Sequence, residues 1–358
     1  MGRYKKIRVP TRSFCICHET MNGGYTMEKN KQNQSEVALG EMFMNPLLES
    51  GPDPYIFKHF DGNYYFTATT RTHIALWKST TITGISTAEK KVIWVPPIEG
   101  PYSKNIWAPE IHFIHNKWFI YFTANDGGGD DTRRIYVLEN SFENPLEGEW
   151  NFKGAVNTEL PGLDGTVLQH HNQLYFLYSG YGYFPDYGSA LYIAKMKNPW
   201  TLEGENILLS APTSEWEKQG GMAINEGPIL LKRNGKLFLI FSASATWSDD
   251  YCLGMLTANE SDEVLDPDSW VKYPEPVFSK NIKNRVFSPG HNSFTQSPDG
   301  TEDWIVYHAF SFSEEEGDHS NGRLRNPRIQ KFHWNQDGTP NFGIPLPAYT
   351  PIKLPSGE

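Results

Sequence analysis

A repeated sequence pattern places ionisable side chains at equivalent positions along the chain. Five segments share a short apolar strand, a turn on Asn or Asp and an aromatic-rich strand. They open on Asp53, Ala108, Asp164, Glu226 and His291. Three of these residues are carboxylates, so their side chains would face one cavity if the five strands converge on one axis.

Carboxylates crowded into one cavity are suited to acid–base catalysis. Like charges at short range push their pKa values apart, so one group stays ionised while another keeps its proton. Glycoside hydrolysis needs this arrangement, because an acid protonates the leaving oxygen while a base activates water. Strand capping or binding of a structural cation is the alternative interpretation. Because three carboxylates share the repeat position, we favour catalysis.

The repeat also predicts the elements that position these residues. In each segment the turn residue lies eight positions after the opening residue, at Asp61, Asn116, Asn172, Asn234 and Asp299. The segments begin 55, 56, 62 and 65 residues apart. A period of about 60 residues with about four strands per unit is typical of propeller blades. We therefore predict an all-β, five-bladed β-propeller, and not an unrelated β-rich chain.

The remaining segments complete this prediction. Residues 133–140 and 190–196 show the alternation of half-buried strands. The last 35 residues are expected to close the ring. Residues 41–358 are predicted to form a single catalytic domain, and residues 1–40, whose later part is polar, a flexible tail.

Composition excludes several classes of protein. The 358 residues include 32 basic and 42 acidic side chains, giving a net charge of −10. Phosphate binding favours a basic face, so nucleic acid is not expected as a partner. No apolar run approaches the roughly 18–20 residues of a membrane-spanning helix, so no membrane association is expected. The 14% aromatic content with 31 Gly and 25 Pro favours a turn-rich β-protein.

The cysteines and the N-terminus bear on location. Cys15 and Cys17 form a CxC motif and Cys252 stands alone, which is too few for a disulfide scaffold. The N-terminus is basic, but its apolar stretch, residues 13–17, is too short for a signal peptide. A cytoplasmic location is therefore predicted, with secretion as the alternative.

Aromatic residues near the ends of inner strands are candidates for stacking against sugar rings. They are Trp77, Trp107, Tyr181, Tyr183 and Trp247. Each of these residues, taken singly, is more often part of a hydrophobic core than of a ligand platform.

Five motifs resemble glycoside hydrolase family 43, over about residues 45–345. They are GPDPYIF around Asp53, IWAPEIHF at 106–113, LDGTVL around Asp164, NEGPILL around Glu226 and SPGHNSF around His291. The family's fold is a five-bladed propeller, which agrees with the repeat count. Sibling propeller families that cleave fructosides begin with WxNDPNG, a motif that this sequence lacks.

The resemblance implies a role for each carboxylate. Asp53 matches the family's general base, Glu226 its general acid, and Asp164 the carboxylate that tunes and orients the acid. The family inverts the anomeric configuration. His291 matches a histidine that helps hold a calcium ion at the axis in many members, and a neutral histidine packed against the ring is the alternative.

Four residues are predicted to bind substrate. Trp77 and Trp107 offer stacking surfaces, and Glu110 follows Ala108 by two residues and so lies on the same face of its strand. Arg325, in the RNPRIQ segment, is placed within reach of the site. Arg328 in the same segment is a weaker match.

Long stretches, including NPLLESGPDPYIF and SFTQSPDGTEDWIVYHA, resemble the family's α-L-arabinofuranosidase branch. The resemblance predicts an inverting exo-enzyme that releases arabinose from arabinan or arabino-oligosaccharides of plant cell walls, without an organic cofactor. A β-xylosidase, an endo-arabinanase, a galactosidase and a non-catalytic sugar-binding propeller remain alternatives. The sequence leaves the oligomeric state open.

Overall fold

The computed structural model describes residues 41–182 and 188–358, which belong to one compact unit. The tail predicted for residues 1–40, with Cys15 and Cys17, and the stacking candidate Tyr183 lie outside the described residues.

The described residues form five four-stranded antiparallel sheets, each built from consecutive strands. The predicted five-bladed, all-β propeller is confirmed. Blade one comprises β2 (Tyr55–Lys58), β3 (Tyr64–Thr67), β4 (Ile74–Ser79) and β5 (Lys91–Trp94). Blade two comprises β6 (Lys104–Ile114), β7 (Lys117–Asn125), β8 (Arg134–Asn140) and β9 (Asn151–Ala155). Blade three comprises β10 (Gly162–His170), β11 (Gln173–Gly180), β12 (Ala190–Asn198) and β13 (Thr201–Ser210).

The last two blades have short outer strands. Blade four comprises β14 (Asn225–Arg233), β15 (Lys236–Ala243), β16 (Cys252–Asn259) and β17 (Val271–Lys272). Blade five comprises β18 (Phe287–Gln296), β19 (Asp303–Phe310), β20 (Asn326–Trp334) and β21 (Pro340–Asn341). The helical segments in the described ranges are 3-10 turns: Thr83–Ser86, Asp130–Thr132, Glu215–Glu217, Gln219–Gly221, Pro267–Ser269 and Gly322–Leu324.

Tight turns join the first two strands of the middle blades. Asn116, Asn172 and Asn234 lie in these turns, with φ of 61°, 61° and 49°. Asparagine tolerates the left-handed region better than most residues, and two-residue hairpin turns require it. The predicted turn positions in these three blades are therefore confirmed.

The hydrophobic core lies between neighbouring blades. Five buried clusters fill the five interfaces of the ring, including the interface between blades five and one. Strand β7 shows why both faces of a blade are apolar. Trp118 and Phe122 pack towards blade one, whereas Phe119 and Tyr121 pack towards blade three. Alternate side chains of one strand thus enter two different interfaces.

The two ends of the described propeller meet in a small separate sheet. Strand β1 (Met42–Met44) pairs with β22 (Pro351–Lys353) in antiparallel register. The buried side chain of Asn45 donates from Nδ2 to the Ile329 carbonyl at 2.8 Å and accepts from the Ile329 N–H at 2.9 Å. This amide pair ties the first described strand to β20 of the last blade.

Replacing Asn45 by alanine is expected to destabilise the ring without abolishing the fold. The Asn45→Ala variant leaves the buried N–H and C=O of Ile329 without partners, so we expect the free energy of unfolding to fall by about 2–4 kcal/mol. Urea unfolding followed by tryptophan fluorescence measures the change. Asn151→Ala, at an exposed position on β9, is the matched control. Equal stability of the two variants would contradict a closing role for Asn45.

Candidate active site

The inner strand of each blade bends at the propeller axis. The residues at the bend are in the left-handed region, with φ of 55° at Asp53, 41° at Ala108, 54° at Asp164 and 49° at His291. The ladder to the second strand shifts register at this point in blades two, three and five. A bulge of this kind re-aims a side chain. The side chains of Asp53, Asp164 and His291 line one cavity at the axis, as the repeat predicts, whereas Ala108 does not line it.

Glu226 departs from this pattern, and its predicted repeat position is wrong by one residue. Gly227 takes the left-handed position of blade four, with φ of 56°. Glu226 pairs with Ser242 just before the register shift, where blade three pairs Leu163 with Ser179. The carboxylate nevertheless lines the same cavity as Asp53 and Asp164.

The error arises at the hairpin turn. Asn234 is the first left-handed residue of its turn and is followed by Gly235, whereas Asn116 is the second and follows His115. Counting back eight positions from each asparagine therefore gives different structural positions in the two blades.

A ring of hydrogen bonds between blades fixes the bends. At each bend the backbone N–H donates to a side chain of the preceding blade. The pairs are Asp53 to His308 Nδ1 at 3.0 Å, Ala108 to Thr69 Oγ1 at 2.6 Å, Asp164 to Thr123 Oγ1 at 3.1 Å, Gly227 to Asp164 Oδ2 at 3.1 Å and His291 to Ser242 Oγ at 2.8 Å. Each blade thus sets the bend of the next.

The fourth link of this ring is different, because a catalytic candidate supplies the acceptor. By register, Ser179 stands where Thr123 and Ser242 stand in their blades. Its hydroxyl is buried and has no hydrogen-bond partner among the described residues. The Asp164 carboxylate accepts from Gly227 in its place. Asp164 is therefore oriented both through its own backbone and through its side chain.

Asp53 is held in its ionised form. Arg325 Nη1 donates to Asp53 Oδ1 at 2.9 Å, and the Thr69 hydroxyl donates to Oδ2 at 2.6 Å. Burial by itself would raise the pKa of Asp53, but Arg325, His291, His308 and the Thr69 hydrogen bond together outweigh burial and hold this pKa well below its ordinary range. The group is therefore a carboxylate at all ordinary pH values.

The pKa values of Asp164 and Glu226, in contrast, are raised. Burial raises the pKa of Asp164, and the negative charge of Glu226 raises it further. Burial also raises the pKa of Glu226, although His291 and the hydrogen bond from Tyr251 Oη, at 2.8 Å, act in the other direction. The two groups titrate together, so the pair keeps a proton to higher pH than an ordinary carboxyl group would.

His291 lies among the three carboxylates, with Nδ1 3.5 Å from Asp53 Oδ1. Burial lowers the pKa of His291, but the negative charges of Asp53, Asp164 and Glu226 together outweigh burial and raise it. The neighbouring carboxylates therefore favour the protonated form of His291. Calcium binding by His291 and a neutral packed histidine both stay predictions.

The donor atoms at the axis fit calcium poorly. Ligand atoms of Asp164, Glu226 and His291 lie within 4.8 Å of one another. Calcium takes about six to eight oxygen ligands, and the oxygens of this set belong to the two carboxylates that share a proton. The third member of the set, His291, offers a nitrogen atom, whereas calcium prefers oxygen ligands. Calcium at this site stays a prediction.

The three carboxylates and His291 open into a cavity of about 330 Å³. Of the predicted binding residues, Trp107 and Arg325 line it, together with the stacking candidates Tyr181 and Trp247. The guanidinium of Arg133 lies 3.8 Å from the centre of the Trp107 ring, which fixes the indole by a cation–π contact. These residues form the polar and aromatic walls expected of a sugar site.

Two predicted binding residues do not line the cavity. Trp77 lies in β4 and packs in the interface between blades one and five, where it meets Phe66 edge to face. Its position in the strand directs it to the core. Glu110 is buried and bonds to His112 Nε2 at 3.0 Å. Arg328 is also buried and bonds to Asn326 Oδ1 and Ser311 Oγ, outside the cavity lining.

Sequence reasoning missed the residues that hold the carboxylates in place. Thr69, His308 and Tyr251 each contact a catalytic candidate or its backbone. A signal for His308 was present, because a hydroxyl or imidazole side chain directly follows the aromatic run in every repeat, as in FTAT, FTAN, YSGY, FSAS and YHAF. In the first repeat the same pattern indicates Thr67, whereas the residue that bonds to Asp53 is Thr69. Tyr251 carries no comparable signal, since it lies in the loop that precedes β16.

Comparison with known proteins agrees with this geometry. The model of the family described as glycosyl hydrolases family 43 matches residues 43–340. This chain belongs to glycosyl hydrolases family 43. The family predicted from the five motifs is therefore confirmed. In the described part of this family 43 protein, no helix is long and apolar enough to cross a membrane.

Several family 43 relatives are named as arabinofuranosidases. The chain is 44% identical over 319 residues to an extracellular exo-α-(1→5)-L-arabinofuranosidase of Streptomyces avermitilis, covering 88% of this chain and 66% of the relative. It is 44% identical over 280 residues to an enzyme of the same name from Streptomyces chartreusis, covering 77% of this chain and 85% of the relative. A solved structure, an α-L-arabinofuranosidase from Lactobacillus brevis, superposes with a TM-score of 0.81 at 40% identity, covering 86% of this chain and 98% of that one.

Thr69 gives a direct test of the geometry around Asp53. Its hydroxyl accepts from the Ala108 N–H, so its own proton must go to Asp53. Thr69→Val removes a hydrogen bond to a charged group, worth about 1.5–3 kcal/mol. We expect kcat to fall about 10- to 100-fold and the acidic limb of the pH–rate profile to move to higher pH, because the pKa of Asp53 rises. Thr69→Ser, which keeps the hydroxyl, should behave as wild type, and wild-type kinetics in Thr69→Val would contradict this role.

Proposed function

We propose that this protein is an inverting, exo-acting α-L-arabinofuranosidase that releases arabinose from arabinan or arabino-oligosaccharides. One observation carries the proposal: a single cavity holds one carboxylate locked in the ionised form and a carboxyl pair that retains a proton. Titratable groups whose environments push their pKa values apart are suited to act as base and acid of one reaction.

In the proposed reaction Asp53 is the base and Glu226 the acid. Asp53 accepts a proton from water as the water oxygen bonds to the anomeric carbon. Glu226 donates its proton to the glycosidic oxygen as the bond between that oxygen and the anomeric carbon breaks. Attack from the face opposite the leaving group inverts the configuration.

Asp164 acts on the acid through its charge and its fixed position. Its Oδ2 is held by the Gly227 N–H, and its repulsion of Glu226 keeps the shared proton available near neutral pH. Trp107, Tyr181 and Trp247 supply apolar surface for the sugar rings. Arg325 is proposed to keep Asp53 ionised while lining the cavity.

The names of the relatives support the choice of sugar. The Streptomyces and Lactobacillus brevis proteins are named as α-L-arabinofuranosidases, and two of the names specify exo action on α-(1→5) linkages. The chain spans about two thirds of the length of the Streptomyces avermitilis relative, so the activity is carried over here as a proposal.

A substrate panel tests the proposal. Nitrophenyl α-L-arabinofuranoside, β-D-xyloside and galactosides are compared first, followed by linear and branched arabinan with sizing of the products. The arabinofuranoside is expected to be the best substrate, with arabinose as sole product from arabinan. Oligomeric products would favour an endo-arabinanase, preference for the xyloside or a galactoside would favour those enzymes, and no turnover would favour a sugar-binding propeller.

The relatives favour an extracellular location over the predicted cytoplasmic one, since two of them are named as extracellular. Immunodetection of the protein in culture medium and in cell lysate of its natural host decides between the two.

Calcium binding is tested separately. Atomic absorption of the purified enzyme measures bound calcium, and activity after chelation shows whether turnover needs it.

Glu226→Gln is expected to lower kcat on arabino-oligosaccharides by about 10²–10⁴-fold, since general acid catalysis contributes that much. Loss on nitrophenyl arabinofuranoside should be far smaller, because its leaving group needs little protonation. Glu110→Gln, at another buried carboxylate, is the matched control and should stay within about tenfold of wild type. Equal losses of Glu226→Gln on both substrates would exclude Glu226 as the acid.

Asp53→Asn should lower kcat on both substrates by about 10²–10⁴-fold, because water must be activated whatever the leaving group. The change is nearly isosteric, so thermal unfolding followed by circular dichroism should show a folded protein. Added azide is expected to restore turnover and give a glycosyl azide of inverted configuration, identified by NMR. Full activity without azide would remove Asp53 from the mechanism.

Asp164→Asn should shift the basic limb of the pH–rate profile to lower pH. Repulsion between Asp164 and Glu226 raises the pKa of the pair, so removing one charge lowers the pKa of the remaining acid, which then loses its proton earlier as pH rises. The acidic limb, set by Asp53, should move less. A basic limb that stays in place or moves to higher pH would contradict this role.

A further inference from the structure

One side of the cavity carries a group of positive charges in a chain whose net charge is −10. Arg71 and Arg325 line the cavity, and Arg323 belongs to the 3-10 turn Gly322–Leu324, whose first residue also lines it. The group lies on the side of Asp53, since Arg325 bonds to that carboxylate.

Arg71 is held at this place by an unusual backbone. Its φ is 73°, in the left-handed region that is uncommon for a residue with a side chain. Its N–H donates to the Ile106 carbonyl at 3.0 Å, and the Ile106 N–H donates back to the Arg71 carbonyl at 3.3 Å. This two-way bridge to blade two fixes the strained residue. Backbone strain of this kind is concentrated at functional sites.

Gly322 shows how close two of the guanidinium groups are to one another. A Cβ placed on Gly322 would lie 2.8 Å from Nη2 of Arg325 and 2.9 Å from Nη2 of Arg71. The two groups therefore press against the same backbone position, where only glycine leaves room. Burial lowers the pKa of Arg71, and the like charges of Arg325 and Arg323 lower it further.

These charges are only partly neutralised. Arg325 is bonded to Asp53 Oδ1 and to the Gly322 carbonyl. The side chains of Arg71 and Arg323 have no ion pair or hydrogen bond within residues 41–182 and 188–358. The other arginines in these ranges all have a partner: Arg133, Arg134, Arg233, Arg285 and Arg328. Of the two without partners, Arg71 lines the cavity, and Arg323 is an exposed residue whose charge acts on Arg71.

We propose that Arg71 and Arg323 form a subsite for the carboxylate of a uronic acid residue in the bound sugar chain. A planar guanidinium binds a carboxylate through two parallel hydrogen bonds, and an anion between like charges relieves their repulsion. The choice of a sugar as carrier rests on the proposed glycosidase function, because the subsite opens onto the cavity of that site. The substrate class is then an arabinofuranosyl oligosaccharide that also bears hexuronate.

Calorimetric titration of the full chain with D-galacturonate and with its neutral methyl ester tests the charge recognition. Galacturonate is expected to bind at least about tenfold more tightly, and 0.5 M NaCl should reduce the difference, since partly exposed charges are screened. In Arg71→Gln/Arg323→Gln the preference should fall below about twofold. Equal binding of the two sugars by wild type, or a preference that persists in the double variant, would overturn the subsite.

Two control variants separate loss of the subsite from a general loss of charge and from misfolding. Arg285→Gln removes one positive charge at an exposed position outside the cavity lining and should keep the galacturonate preference. Arg71→Lys/Arg323→Lys keeps both charges and should retain part of the galacturonate preference. If it does, misfolding is excluded as the cause of the loss in Arg71→Gln/Arg323→Gln. Sodium acetate is titrated as a free carboxylate, and acetate binding as tight as that of galacturonate would assign the site to small anions and overturn the uronate proposal.

Turnover of nitrophenyl α-L-arabinofuranoside is measured on the same samples. An enzyme that is active but shows no preference for galacturonate overturns the subsite alone. A protein that prefers galacturonate but releases no nitrophenol overturns the arabinofuranosidase activity and leaves carboxylate recognition standing.

Discussion

The active site depends on the hydrogen bonds that pass from blade to blade at the propeller axis. Each bent inner strand presents one backbone N–H that its own sheet does not use, and a side chain of the preceding blade accepts it. An unpaired buried N–H would cost about 1–3 kcal/mol, so the bends are stable only when the ring is complete. The positions of Asp53 and Asp164 follow from that closure.

One hydrogen bond of this ring, from the Gly227 N–H to Asp164, both joins two blades and positions a carboxylate of the cavity. Asp164 takes the acceptor place that the repeat assigns to Ser179, and thereby ties the bend of blade four to the acid pair. Gly227 is suited to this place because its φ of 56° carries no Cβ penalty. Glu226, one residue earlier, is oriented by the same bend. The positions of Asp164 and Glu226 are therefore fixed by the same hydrogen bonds that join the blades.

The electrostatic environment gives chemically similar carboxyl groups different pKa values. Burial raises the pKa of all three carboxyl groups in the cavity, and the charged and hydrogen-bonding partners of each group decide whether its pKa stays raised. Arg325 is the strongest of several partners that together lower the pKa of Asp53 more than burial raises it. No cation of that strength bonds to Asp164 or Glu226 among the described residues. The difference in pKa between Asp53 and the other two groups therefore comes from their partners, with the Arg325 ion pair the strongest of them.

The sequence by itself determined the blade count, the hairpin turns at Asn116, Asn172 and Asn234, and the identity of the three carboxylates. These features depend on residues that are neighbours in the chain, where alternation and turn chemistry can be counted. Only the tertiary structure decided that Glu226 precedes the bend, that Trp77 faces the core and that Glu110 pairs with His112. Those outcomes depend on bulges and on contacts between blades far apart in sequence, which no local spacing records.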